Sequence, residues 1–508
     1  MRTLTLLAFI GLLFTLPALV GAEPSASIDP PHHALYAPAP SALLAGDVDL
    51  RGPSQYLAGT IAVRVVLPES NGLVDPSSED WNPEQIELVR SGVDAALEWW
   101  RQQLPLARLE FKVQYQVVPS SYEPTRHGLA GESLWIGDTL AKLGFRSGSY
   151  FDQAYEAAYS LRDELDADWA TTIFVVNSDN GNGYLADGYF AYAYINGPFM
   201  VLTSDAGGYG SRHFAAVTAH EFGHIFGALD QYHVAQVDCT RTSGYLNAPT
   251  TNSQFNACGT NEPSIMLEPI TAFAQQAVDP SALAQVGYRD SDIDGAIDPL
   301  DTTPALNLRG PQVSTVGVRP RLSGNTEDLA FPSPSQTPVS INWITGIEYR
   351  VNRGAWQYLP AADGMFDSAS ESFDRELPLY DGEHSIELRA RNSAGMLSQT
   401  IVQQVAVAGI GPAPEYAVLA GSADTPGLLD VQFTAPAETQ AVQVSSEPTF
   451  ANANWEPFTP ERTYDLYHGP GSVELYVRFR DGDGRESLVY RVEVASDSHT
   501  IYLPLLRK

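Results

Sequence analysis

His220-Glu221-Phe222-Gly223-His224-Ile225-Phe226-Gly227-Ala228-Leu229-Asp230 is the stretch on which the reading of this chain turns. Two histidines four apart on a helix lie one turn above each other, so both imidazoles can face one tetrahedral ion. Glu221 projects beside them, placed to take a proton from water at that ion. Upstream, Ala215, Ala216, Val217 and Ala219 make a compact helix suited to a core. Gly227 permits the left-handed turn that ends a helix, and beyond it Asp230 can swing back as a third ligand. A fourth position is then open for water, as a catalytic zinc site requires. A bare H-E-x-x-H also occurs by chance on exposed helices; the Gly and Asp at fixed offsets make this occurrence far more specific.

With these residues in place, the sequence resembles the metzincin clan of zinc metalloproteases, whose extended motif is H-E-x-x-H-x-x-G-x-x-H/D. The Asp form here is similar to that of snapalysin-like secreted bacterial proteases. The resemblance covers about residues 56–288. It implies an α/β protease domain, zinc on His220, His224 and Asp230, and Glu221 as general base. It also implies that Met266, in Ser264-Ile265-Met266, forms the apolar floor of a tight turn beneath the metal without binding it. Asp230-Gln231-Tyr232-His233 keeps His233 open as an alternative third ligand; Asp230 is preferred because its offset from Gly227 fits the clan. A carboxylate donates more charge than an imidazole, so the zinc is expected to be a slightly weaker Lewis acid. Tyr189 to Asp205 resembles the clan's edge-strand region, where an extended peptide could pair by β-augmentation. His213, two turns before His220, reads as a surface histidine.

Outward from the motif, strands and helices alternate. Thr60 to Leu67 is a β-rich run ended by Pro68, and Asn82-Pro83 opens a helix carrying Ile86, Val89, Val93, Leu97 and Trp100 at helical spacing. Leu109 to Val118 reads as a strand, Tyr150 to Leu165 as a helix, Thr171 to Asn177 and Phe199 to Thr203 as strands, and a further helix starts near Arg212. Such alternation is the signature of one α/β domain. Cys239 and Cys258 are the only cysteines, and an even pair in an exported chain reads as a disulfide. It would pin the segment between Asp230 and Met266. Cysteine ligation of zinc is disfavoured by the absence of C-x-x-C spacing.

Asp290-Ser291-Asp292-Ile293-Asp294-Gly295-Ala296-Ile297-Asp298-Pro299-Leu300-Asp301 follows the α/β region. Acids fall at loop positions 1, 3, 5, 9 and 12, with Ala296 at the backbone-carbonyl position and Gly295 at the bend, a pattern that supplies hard oxygens to calcium. Pro299 argues against an EF-hand helix, and the loop resembles thrombospondin type 3 calcium repeats. Residues 289–308 are therefore expected to be a calcium-binding linker, stiffened by the ion and otherwise a flexible acidic hinge. From there the segments are short, alternating and broken by Gly, Pro, Asn and Asp. Ser385 to Ala390 and Val473 to Phe479 are the clearest strands, and residues 309–408 and 413–497 are expected to form two antiparallel β-sandwiches. They resemble bacterial immunoglobulin-like or fibronectin-like modules. Trp356 and Trp455 read as core rather than as platforms for a sugar.

The whole chain has 508 residues, 44% of them hydrophobic, with 61 acidic against 29 basic side chains and a formal net charge of −32. That apolar fraction excludes a disordered polyanion, and the charge excludes nucleic acid as a natural partner. Arg2, the apolar run Leu4 to Val20 and the small residues Val20-Gly21-Ala22 read as an export signal over residues 1–22. Residues 23–55 read as a leader or short propeptide without regular structure, and 498–508 as a tail. The expectation is thus a secreted, multidomain zinc endopeptidase acting on protein or peptide, with no membrane-spanning segment once the signal is removed. Its sandwich modules are candidates for binding a cell surface or glycan. An adhesin on a catalytically weak protease scaffold is the alternative, disfavoured by the retention of Glu221; a deacylase-type zinc hydrolase is disfavoured by the Gly-Asp extension.

Overall fold

Alternation along the central strands decides how the first half folds. The computed structural model describes residues 35–41, 51–309, 316–422, 428–465 and 473–494. The expected export signal, most of the leader and the tail lie outside them. The α/β region contains β1 (Leu35–Tyr36), β2 (Thr60–Ser70), α1 (Pro83–Gln103), β3 (Glu110–Ser120), α2 (Glu132–Lys142), α3 (Tyr150–Glu164), β4 (Trp169–Val176), β5 (Ala191–Ile195), β6 (Phe199–Thr203) and α4 (Phe214–Ile225). Small elements β7 (Thr242–Ser243), β8 (Ala248–Pro249), α5 (Pro269–Gln275) and α6 (Pro280–Gln285) follow.

One six-stranded sheet runs in the order β1-β5-β6-β4-β2-β3. Its strands are parallel from β6 through β3, while β5 is antiparallel to β6. In β2, Ile61, Val63, Val65 and Leu67 face α1 and α4, where they join Trp100, Phe214, Val217 and Phe222 in the main core. Val66, Phe174, Val176, Tyr192, Tyr194 and Val201 face the other way, onto α2 and α3. Burial on both faces is why these strands read as near-continuous apolar runs.

Local chemistry sets the boundaries. Asn82 caps α1, accepting from the Glu84 and Gln85 amides at 3.0 Å while Gln85 returns the bond to the Asn82 amide. Pro68 does not end β2. The strand continues to Ser70 because its pairing with β4 stops at Val66, so Pro68 lies where that side of the ladder has ended. The leader also departs from expectation. Leu35–Tyr36 pairs in parallel with Tyr194 and Ile195 of β5, and the Ser41 amide donates to Asp152 at 2.8 Å.

Beyond the acidic loop, the first sandwich comprises β9 (Thr303–Leu308), β10 (Arg321–Leu329), β11 (Ile344–Val351), β12 (Gln357–Leu359), β13 (Ser370–Glu376), β14 (Gly382–Asn392) and β15 (Ile401–Val407). Its sheets, β13-β10-β9 and β12-β11-β14-β15, close over a core that includes Leu306, Leu322, Ile347, Phe373 and Leu388. The sandwich therefore takes its first strand from within the stretch expected to be linker. The second comprises β16 (Ala417–Ser422), β17 (Leu429–Thr434), β18 (Thr439–Ser445), β19 (Glu456–Pro457), β20 (Glu461–Tyr464), β21 (Val473–Asp481) and β22 (Tyr490–Val494). It repeats the three-plus-four arrangement as β16-β17-β20 and β19-β18-β21-β22 around Val431, Val442, Leu475 and Phe479. Trp356 and Trp455 stand outside both cores, half-buried. Arg350 and Arg389 lie 4.6 and 4.0 Å from the Trp356 ring, and Arg478 and Arg480 lie 5.1 and 4.4 Å from that of Trp455. Among the described residues no helix is long and apolar enough to cross a membrane.

Candidate metal centre

Helix α4 carries His220, Glu221 and His224 on buried turns. Gly223 sits between them without a side chain because a Cβ there would meet Met266 Sδ at 2.9 Å and the Trp100 ring at 3.2 Å. The helix ends at Gly227, whose φ of +99° lets the Gly227 amide reach the His224 carbonyl at 2.9 Å and the Ala228 amide reach that of Gly223 at 3.0 Å. A Cβ on Gly227 would stand 2.6 Å from Gly244 Cα. After this turn the chain brings Asp230 back under the helix.

The three expected ligand atoms converge. Asp230 Oδ1 lies 3.1 Å from His220 Nε2 and 3.2 Å from His224 Nε2. The other ring nitrogens are engaged: His220 Nδ1 with the Ile265 carbonyl at 2.9 Å, and His224 Nδ1 with that of Ala228 at 2.7 Å. A carbonyl only accepts, so both Nδ1 atoms carry hydrogen, and each ring in its neutral form aims a lone pair through Nε2. Asp230 Oδ1 is itself buried without a hydrogen-bond partner. Two lone pairs and a carboxylate oxygen pointed at one space repel each other unless a proton or a metal cation lies among them. A borderline-soft ion that accepts two imidazoles and one carboxylate, such as zinc, fits this set. His233 does not join it: that side chain is exposed and its ring rests 5.9 Å from Phe255.

Charge at the site is tuned by burial. Burial pushes the Glu221 carboxyl up to about 8, with His220 opposing and Asp230 adding to the rise. Burial also works against the Asp230 carboxylate, but the two imidazoles outweigh it and hold that group far below the usual range. At His224 burial disfavours the proton, whereas Asp230 and the Ala228 carbonyl favour it more, and the net shift is upward. His213 lies on the surface side of this helix start, accepting from Arg212 at 2.9 Å.

Met266 is fully buried beneath α4, in a turn closed by the Leu267 and Glu268 amides on the Ser264 carbonyl at 2.9 and 3.0 Å. The sequence reading missed what ties this turn to the third ligand. Buried Asp279 accepts from Ser264 Oγ at 2.7 Å and from Gln231 Nε2 at 2.6 Å while capping α6. The Gln231 amide donates to the Met266 carbonyl at 2.9 Å. An Asp-Pro pair opening a short helix was the available signal. Cys239 and Cys258 form a disulfide with Cα atoms 5.4 Å apart, across the loop that links Asp230 to the Met266 turn.

In the acidic loop, carboxylates of Asp290, Asp292 and Asp294 gather within 4.8 Å of one another. Asp290 accepts from the Ile293, Asp294 and Gly295 amides at 2.7, 3.3 and 3.0 Å, and Asp294 from the Ala296 amide at 2.8 Å. Burial, and then the charges of Asp294, Asp292, Asp298 and Asp290, push the Asp301 carboxyl up. Asp298 is committed elsewhere: it accepts from Arg289 Nε at 2.7 Å and from the Ser291 amide and hydroxyl at 2.8 Å. The expected position 9 is thus a structural clasp.

No protein-family model matches the chain, and no curated protein matches it. Among solved structures, the fibronectin(III)-like modules of Clostridium thermocellum CbhA are 14% identical, covering 39% of this chain and all of that one, at a TM-score of 0.15. Dimeric latent PorU from Porphyromonas gingivalis is 14% identical over 38% of this chain and 20% of its own, at 0.15. The FN1–FN3 domains of chicken CNTN1 are 11% identical over 39% and 69%, at 0.14. Likenesses this slight leave the reading of the site to its own geometry.

Proposed function

We propose that the chain is a secreted zinc-dependent endopeptidase with a metzincin-like catalytic domain, in which His220, His224 and Asp230 hold the metal and Glu221 is the general base. The observation that carries this reading is the convergence of Asp230 Oδ1 on two imidazole nitrogens at 3.1 and 3.2 Å, with both Nδ1 atoms already engaged. Zinc bound there would act as a Lewis acid on the peptide carbonyl and make water acidic at neutral pH. Glu221, next to His220 on the same helix, takes the proton from the attacking water and returns it to the leaving amine. Asp230 and the carbonyls of Ile265 and Ala228 fix the two rings so that neither swings away as charge develops. On the edge of β5 opposite β6, an extended peptide would take the place that Leu35–Tyr36 holds against Tyr194 and Ile195.

The gathered Asp290, Asp292 and Asp294 carboxylates, with Asp301 beside them, support calcium as a second, structural ion. Zinc content of the purified chain, together with cleavage of a peptide library by wild type and Glu221→Ala, tests the main reading. One zinc per chain and cleavage abolished in the variant are expected. Undiminished cleavage by Glu221→Ala would remove that residue as the base.

A further inference from the structure

Where the two sandwiches meet, two cations are held against one acid. Glu486 Oε2, from the second sandwich, accepts from Arg478 Nη1 of β21 at 2.9 Å and from Arg375 Nη2 of β13 at 3.0 Å. In a chain with 61 acidic and 29 basic side chains, this corner has an excess of positive charge. Arg478 is also fixed through Nε, which donates to Gln443 at 2.7 Å, and by the Phe450 ring 4.7 Å from its guanidinium. Both guanidiniums keep N–H groups that meet no partner among the described residues. Burial pulls the Arg478 guanidinium below its ordinary range, Glu486 opposes, and Arg375 adds to the fall, so a further anion would relieve the site.

These side chains line a cavity of about 180 Å³ between the modules, and Gln357 of β12, only 5% exposed, lines it with them. Gln357 Oε1 accepts from the Tyr349 hydroxyl and from the Val489 amide, each at 3.1 Å. Both acceptor sites of that oxygen are thus used, which fixes the amide and leaves Nε2 as a donor without a partner among the described residues. Pro360, Pro378, Pro448 and Phe450 supply rigid apolar wall. A few converging polar groups in an otherwise apolar cavity at a domain junction are the makings of a small-ligand site. Spare donors select an anion, and a planar guanidinium fork matches a carboxylate. The volume and the rigid walls suit one ring better than an extended chain. We propose that this junction binds an acidic sugar: Arg375, Arg478 and Gln357 take its carboxylate, and the C–H face of its ring lies on the prolines and Phe450. The site stands apart from the metal centre and does not depend on the zinc reading.

Calorimetric titration of the full chain with glucuronate tests the assignment, with glucose, acetate and an acetylated dipeptide as controls. Glucuronate is expected to bind one to one, more weakly as salt is added, and about tenfold or more tighter than each control. Arg375→Gln removes one fork while Arg478 still holds Glu486; affinity should fall about tenfold or more, with little change in thermal midpoint because the lost ion pair is partly exposed. In the wild type, where folding is not in question, glucuronate should slow hydrogen exchange in the 486–489 segment and leave 220–230 unchanged. Absence of saturable glucuronate binding, or protection at 220–230 in place of 486–489, would overturn the site. Acetate or the dipeptide binding as tightly as glucuronate would overturn the sugar as its ligand, and undiminished affinity in Arg375→Gln would remove the arginine pair from recognition.

Discussion

On the proposed zinc reading, Glu221 shows what a cation would have to do at this site. With burial pushing its carboxyl up to about 8, Glu221 holds its proton at neutral pH in the metal-free chain, and His224 is likewise shifted toward its protonated form. The base proposed above must be empty to work, and positive charge among His220, His224 and Asp230 would empty it. Metal and protons therefore compete: zinc affinity should rise as pH climbs from about 6 to 8, and Glu221→Gln should flatten that slope. Isothermal titrations in buffers of different ionisation enthalpy would count the protons released, and a pH-independent affinity would contradict the coupling. The same variant should retain the metal yet lose about 10²–10⁴ in kcat, the usual contribution of a positioned base. At this scale the convergence of His220, His224 and Asp230 was legible in the sequence. Helical spacing puts His220, Glu221 and His224 on neighbouring positions of one helix, and the turn at Gly227 explains how Asp230 returns to them. What the sequence hid were the partners of Nδ1, because the carbonyls of Ile265 and Ala228 carry no residue-type signature. Hidden for the same reason was the close approach of Met266 Sδ that requires Gly223 to lack a Cβ.

Among the elements, β5 was the hardest to foresee, being five residues long and antiparallel to its neighbour. Its alternate residues Tyr192 and Tyr194 donate to Glu132 of α2, as does Tyr150 of α3, with Tyr192 at 2.6 Å and Tyr150 at 2.7 Å. Three phenols stand in for the cation a buried carboxylate usually finds. Burial raises the Glu132 carboxyl, and the phenols offset only part of the rise. The folded chain thus holds this proton above the pH at which the unfolded chain releases it. Wild type should lose stability relative to Glu132→Gln as pH rises from about 4.5 through the folded-state value, since the native state binds more protons across that window. Urea midpoints of the two proteins across that range would check it; a difference that grows in favour of wild type with rising pH would contradict the sign. At the other end of the site, Gly227→Ala should cost about 1–3 kcal/mol in strain, because φ is +99° and the new Cβ would strike Gly244 Cα at 2.6 Å. The pairing of Leu35–Tyr36 with β5 escaped the sequence reading for a plain reason. Two residues show no period, and the strand pairing itself is made by backbone groups.

Across the whole molecule, the join between the α/β domain and the first sandwich is built rather than slack. Asn342 donates to the Leu300 carbonyl at 2.8 Å and to Thr302 Oγ1 at 2.7 Å, and accepts from Arg108 at 2.7 Å. Asp328 accepts from Thr302 at 2.5 Å and from Asn392 at 2.8 Å, so the residues just past the acidic loop are bolted to β10 and β14. Upstream, Ile297 and Leu300 are buried in the main α/β core, and Asp298 clasps Arg289. The flexible hinge expected from the charge pattern is therefore absent among these residues. Charge is visible in sequence, whereas two apolar side chains in an acidic run give no sign that they anchor it. The role proposed for calcium changes accordingly. With both flanks held by protein contacts, a calcium ion bound there would have only the tip of the loop left to order, where Ile293 is 89% exposed. Calcium should protect the 291–296 segment from limited proteolysis while leaving the small-angle scattering radius of gyration unchanged, and Asp290→Ala with Asp294→Ala should abolish the protection. Expansion of the particle on adding a calcium chelator would show instead that the ion, and not the buried Leu300 and Asn342 contacts, holds the two domains together.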